Sequence, residues 1–293
     1  MKSNYFINLI LITVLVGLYW FINDEPTSNT ATTPPLTNIS NEAIHHITIS
    51  QTNRVDIVLK KLKQQWQLIT PITARANQNR IKILLSILTI QPYRQQTIIA
   101  GQNLSQFGIN KDSTNLVLND HHFIFGDIEP IEQRRYVQHN NDLYLLEDTI
   151  SPLLNTSASS FIDNRLIQAQ QHITKLTIPH YQQQSLLKQT TSLQLNNGQW
   201  QSDSKQSADK LVEIIDNWQH AAALQVIPLD ALASTLQPSP FHAIVQLKEQ
   251  NEPIKLTLHL SKTHFFIINE QTELAYHFRK ASYQTLLLPA SHQ

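Results

Sequence analysis

The chain has 293 residues, with 22 Lys+Arg balanced by 22 Asp+Glu, no Cys and only 5 Gly. Its 41% apolar content supports packed cores and excludes a wholly disordered chain, and its length suits one large domain or two of about 130 residues. The lack of Cys excludes disulfides, thiolate metal sites and thiol catalysis; the sparse Gly leaves almost no room for a phosphate loop; the balanced charge argues against a general nucleic-acid binder.

Taken in chain order, the first signal is an uncharged apolar stretch from Tyr5 to Ile22. Crossing a hydrocarbon layer takes about 20 residues, so the spacing predicts a transmembrane anchor over residues 1–23. Lys2 on the short side places the N-terminus in the cytoplasm, and Tyr19 and Trp20 fit an interfacial aromatic anchor. No small residues stand between Tyr19 and Asn23, where a signal peptidase would need them, so the anchor is expected to stay uncleaved. Residues 24–42, rich in Thr, Ser, Asn and Pro, read as a flexible tether with a reach of at most about 65 Å.

The folded part is expected to begin near Ala43. Ile47-Thr48-Ile49 and the segment around Trp66 read as strands. Ile81, Leu84, Leu85 and Leu88 then fall on one helical face behind Asn77, a good N-cap. Strand-like runs follow at Leu116-Val117-Leu118, Phe123-Ile124-Phe125 and Tyr144-Leu145-Leu146. A loop-like stretch at Ser157–Ser160 marks a boundary, predicting a first repeat over 43–160 and a second over 161–293.

The second half repeats the first. Leu211, Ile214, Ile215 and Trp218 form the same helical face at an offset of 130 positions, behind Ser207, which matches Asn77. Leu176-Thr177-Ile178 matches Ile47-Thr48-Ile49, and Trp200 matches Trp66. Further strand-like runs, Ile244-Val245, Leu256-Thr257-Leu258 and Phe265–Ile268, follow the second helix. The predicted fold class is α+β: two tandem repeats, each an antiparallel sheet covered by a helix, after the N-terminal transmembrane helix.

A further series carries a resemblance. Trp66 is followed by Pro71, Ala76-Asn77 open a helix, and Phe107-Gly108-Ile109 precede a strand. Phe123-Ile124-Phe125-Gly126, Arg135-Tyr136-Val137 and Tyr144-Leu145-Leu146 complete the series. In this the chain resembles bacterial membrane-anchored proteins carrying domain of unknown function 4340. The resemblance covers the first repeat well and the second weakly. The second lacks the Pro, the aromatic-Gly turn and the Arg-Tyr-Val run, and Ile162-Asp163-Asn164-Arg165 stands where the family tends to place an Arg-Asp pair. Some relatives accompany ABC-type export or gliding-motility systems, so the resemblance implies an auxiliary role and carries over no catalytic residue.

The residues themselves offer little chemistry. His45-His46 and His121-His122 are strand neighbours and point to opposite faces, while His259 and His264 lie across a turn and have the spacing to share a face. No metal-ligand spacing is present, and no Gly-x-Ser-x-Gly elbow. Asp127, Glu129 and Glu132 cluster beside Arg134 and Arg135, as a charged loop with local ion pairs or, in the sharper reading, as paired carboxylates. Arg134-Arg135-Tyr136 lacks the wider basic surface of a nucleic-acid site.

The expected function is a membrane-anchored exported auxiliary or scaffold protein of an envelope or ABC-type transport assembly. Its place is the inner membrane as a single pass, with the C-terminal part in the periplasm. Its partners are the bilayer, through the N-terminal helix, and a membrane protein, with no nucleic acid. No enzyme activity, catalytic residue, metal or cofactor is expected. The alternative is an envelope hydrolase or sugar-binding enzyme using the Asp127–Glu132 carboxylates.

Overall fold

The structure, a computed structural model, describes residues 11–16, 19, 34–204, 206–232, 234 and 236–290. The Tyr5–Ile22 segment expected to cross a membrane lies largely outside them; residues 11–16 are helical and exposed. Among the described residues no helix is long and apolar enough to cross a membrane.

The molecule is mostly antiparallel sheet with few helices. The first sheet contains β1 (His46–Ser50), β2 (Ile57–Leu62), β3 (Gln65–Thr70), β4 (Ala74–Arg75), β5 (Arg94–Thr97), β6 (Thr114–Leu118), β7 (His121–Ile128), β8 (Arg135–His139) and β9 (Asp142–Leu146). Its order is β4-β3-β2-β1-β6-β7-β8-β9-β5. The second contains β10 (Ile173–Gln182), β11 (Ser185–Asn196), β12 (Gln199–Ser202), β13 (Gln225–Pro228), β14 (His242–Leu247), β15 (Ile254–Leu260), β16 (Phe265–Asn269), β17 (Leu274–Phe278) and β18 (Leu288–Pro289). Its order is β12-β11-β10-β14-β15-β16-β17-β13, with β18 running parallel to β10. Matching β1–β3 to β10–β12, β5 to β13 and β6–β9 to β14–β17 makes the two orders identical apart from β4 and β18.

Alternation explains the strands. In β1, Ile47 and Ile49 point into the core, while His46, Thr48 and Ser50 are at least partly exposed. Among the described residues from 34 onward there are four α-helices: α1 (Gln78–Leu85), α2 (Ser151–Leu154), α3 (Ala208–Gln219) and α4 (Tyr283–Leu286). The side chain of Asn77 accepts from the N–H groups of Asn79 and Arg80, and that of Ser207 from Lys210, so both predicted N-caps satisfy donors that the first helical turn leaves open. The predicted helical faces are buried: Ile81, Leu84 and Leu85 on α1 with Leu88 just beyond, and Leu211, Ile214, Ile215 and Trp218 on α3. The indole N–H of Trp218 donates to Leu286 O at 2.6 Å, which satisfies the one polar atom of a fully buried ring.

The link between the sheets is buried rather than loose. Phe161, Ile162 and Ile167 are in the core, Asn77 N–H donates to Phe161 O at 2.7 Å, and Arg75 pairs with Asp163 at 3.6 Å. On the far side Ala223 N–H donates to Asn164 O and Leu166 N–H to Ala221 O. The first sheet has an equivalent contact. Leu36, inside the span read as a tether, is buried, and its N–H donates to Ile90 O at 2.8 Å. One continuous hydrophobic core takes in both sheets and this link.

Candidate functional site

Three of the motifs behind the family resemblance, Phe107-Gly108-Ile109, Phe123-Ile124-Phe125-Gly126 and Arg135-Tyr136-Val137, meet where the pairing of β7 with β8 shifts register. A 3₁₀ turn, Ser105–Phe107, ends at Gly108, which holds a left-handed φ of 71°. A Cβ on Gly126 would lie 2.2 Å from Phe107 O, so the turn can sit on β7 only because residue 126 has no side chain. The β7–β8 register shifts between Phe125 and Ile128, directly beyond this contact. Arg135 fastens the bulge: its Nη1 donates to Gly126 O and its Nε to Asp148 Oδ2 at 2.6 Å. Asp148 also accepts the N–H of Ser151 at the start of α2. The rings of Phe107 and Tyr136 pack 4.9 Å apart. The aromatic-Gly turn, the strand ending in Gly and the Arg-Tyr-Val strand are thus one interlocked joint.

Two pockets flank this joint, and the carboxylate cluster divides between them. Glu129 and Glu132 line a pocket of about 420 Å³ whose apolar walls include Phe107, Tyr136, Leu143 and Leu145. That size is within the range that holds small ligands or partner side chains. Asp127 lines the other pocket, of about 300 Å³, together with Gly108 and Arg135. The three carboxylates therefore do not form one acidic group.

Each carboxylate at the first pocket already has structural partners. Glu129 Oε2 accepts the N–H groups of Ile131 and Glu132 at 3.1 and 2.6 Å and so closes the β7–β8 turn. Glu132 lies 3.8 Å from Arg94 and 3.7 Å from Arg134, and Arg134 stacks over the Tyr93 ring at 3.6 Å. Of the residues lining this pocket, Ile131 is 87% exposed. Next to the pocket β5 ends the sheet, with all four residues exposed and no further strand paired beyond it among the described residues.

The histidines form no chelating group: among the described residues no set of three His, Asp or Glu could hold a metal ion. His264 meets His277, ring nitrogens 3.1 Å apart, and the two rings pack against Phe266. His259 pairs across the sheet with Phe266. His139, from the motif strand, is buried against Phe123, and burial lowers its pKa. Its Nδ1 is 2.9 Å from His122 O. Burial also lowers His180, which bonds Thr191, and His242, which bonds Thr257. Thr257 donates its hydroxyl proton to Glu270, so His242 contacts an oxygen whose proton is already placed and does not activate it. These contacts join distant strands and have no signature in local spacing.

No curated protein and no solved structure matches the chain. A family model described as Domain of unknown function (DUF4340) matches residues 66–240, a span that opens at Trp66, contains the whole motif joint and reaches past β13. With more than half of its length matched, the chain belongs to that family.

Proposed function

We propose that the protein is a membrane-anchored, exported auxiliary or scaffold subunit that binds other proteins of an envelope or ABC-type transport assembly. One observation carries this reading: a concave pocket with Phe107, Tyr136, Leu143 and Leu145 among its walls opens beside an unpaired sheet edge, with the exposed Ile131 in its lining. Exposed apolar surface next to a strand edge is the raw material of protein docking. The Tyr5–Ile22 stretch with Lys2 before it supports an anchor with the N-terminus inside. The matching strand orders support two tandem copies of one sheet-and-helix unit. Placement among transport components rests on the family resemblance alone.

A second reading, an envelope hydrolase or sugar-binding enzyme, has one observation in its favour: Glu129 and Glu132 line the same concavity. Against it, Glu129 is taken up by two backbone N–H groups, and Glu132 stands within 3.8 and 3.7 Å of the cationic Arg94 and Arg134. The two readings separate in complementation of a deletion strain. Asp127→Asn, Glu129→Gln and Glu132→Gln should each complement, and the full chain should co-purify with membrane proteins from detergent extracts. Loss of function in one well-folded carboxylate variant would favour the enzyme.

A further inference from the structure

The two sheets share the register of one face, which is covered on the second and holds a pocket on the first. In the first, Tyr136, Leu145 and Arg94 stand in one cross-strand row and Gln138, Leu143 and Gln96 in the next. In the second, the same register positions hold Phe266, His277 and Gln225, then Ile268, Ala275 and Ile227.

On the second sheet this face is closed. After β13 the chain makes a 3₁₀ turn, Leu229–Leu232, and Leu236 N–H donates to Leu232 O at 3.0 Å. Leu229, Leu232 and Leu236 pack on Phe266, Ile268, Ala275 and Ile227 as a separate apolar cluster. The three leucines stand at i, i+3 and i+7 in the sequence, and all three pack on this face. On the first sheet Phe107, from the chain after β5, packs on Tyr136. The rest of the face, floored by Leu143 and Leu145, is the pocket of about 420 Å³, with the exposed Ile131 at its wall.

We propose that this pocket is a docking site for a segment of a partner protein: an aliphatic helical turn with leucine-type side chains at i, i+3 and i+7. The segment takes the place that Leu229, Leu232 and Leu236 hold on the second sheet. The inference rests on the scaffold reading and specifies what such a scaffold grips. The polar rim of Arg94, Glu129 and Glu132 surrounds the apolar floor, an arrangement in which the centre supplies affinity and the rim orientation.

The test uses a fluorescein-labelled peptide of residues 228–238 of this chain, which carries the three leucines, titrated into the full-length chain and followed by anisotropy. Saturable binding is expected. It should be lost in a peptide with all three leucines changed to serine, each buried leucine being worth roughly ten- to hundredfold in affinity. It should weaken at least about tenfold in Ile131→Asp and in Gln96→Arg, both at exposed positions where folding, checked by thermal melting, is unaffected. No saturable binding below about 1 mM, the weak end of specific affinity, would overturn the proposal. So would binding that both variants leave unchanged, because the peptide would then sit elsewhere. Sedimentation showing that the wild-type chain self-associates and Ile131→Asp does not would put a second copy in the pocket and overturn the foreign segment. Membrane partners that still co-purify with Ile131→Asp would remove this pocket from the docking surface while leaving the scaffold reading intact.

Discussion

Gly126 and Gly101 impose different demands on a side chain. At Gly101 an added Cβ meets nothing within 4 Å, and the demand is only a φ of 81°. At Gly126 the Cβ would run into the carbonyl oxygen of Phe107, backbone that cannot swing aside. Gly101→Ala should therefore cost about 1 kcal/mol for the left-handed conformation. Gly126→Ala should cost about 3 kcal/mol or more, because the whole Phe107 turn has to lift off β7. Chemical denaturation of the two variants measures the difference, and equal losses would mean that the turn yields easily. Phe107, Gly108, Gly126, Arg135 and Tyr136 were visible in the sequence as short motifs. Their common purpose was not, because the contact between residues 107 and 126 and the bond between Arg135 and Gly126 O are tertiary. The N-caps Asn77 and Ser207 were legible for the opposite reason, since a cap bonds N–H groups two or three residues away.

At the scale of elements, periodicity identified α1 and α3 because one face of each is buried and the other is wet, a contrast that 3.6-residue spacing records. It also linked the two tryptophans. They hold the same register position, opposite Lys61 on β2 and Leu195 on β11, but in different surroundings: Trp66 is buried and Trp200 half-buried. Trp66→Ala should cost about 3–5 kcal/mol and Trp200→Ala clearly less, since less apolar area returns to water in the second case. Urea midpoints of the two variants test this ordering, and a larger loss at Trp200 would contradict it. Several hairpins left no trace in residue type. Lys63-Gln64 and Gln183-Gln184 turn with φ between 46 and 67° and carry no glycine, whereas Asn197-Gly198 has the expected composition. The carboxylate cluster was legible as a charged loop, but its division between two pockets depends on the β7–β8 bulge. Leu36 looked like part of a polar tether because its partner Ile90 lies far along the chain.

At the scale of the molecule, the boundary between residues 160 and 161 falls inside a 3₁₀ turn, Ala158–Phe161, that both halves hold. Phe161 has no exposed surface, its carbonyl accepts from Asn77 in the first half, and the Ala158–Phe161 turn packs beside β13 of the second. Asn164 and Leu166 then bond the chain just before β13. Units joined this way cannot separate without opening a shared core, so loss of one sheet exposes apolar surface on the other. Urea unfolding should accordingly be a single transition, with coincident midpoints by far-ultraviolet circular dichroism and by tryptophan fluorescence from variants that keep only Trp66 or only Trp218. Phe161→Ala, which empties the shared joint, should lower that transition by about 3–5 kcal/mol as read by either tryptophan. If the sheets were independent, the substitution would shift the midpoint of one reporter and leave the other in place. The two copies would then be separate domains on a string, and the pocket on the first sheet would have to bind its partner without support from the second.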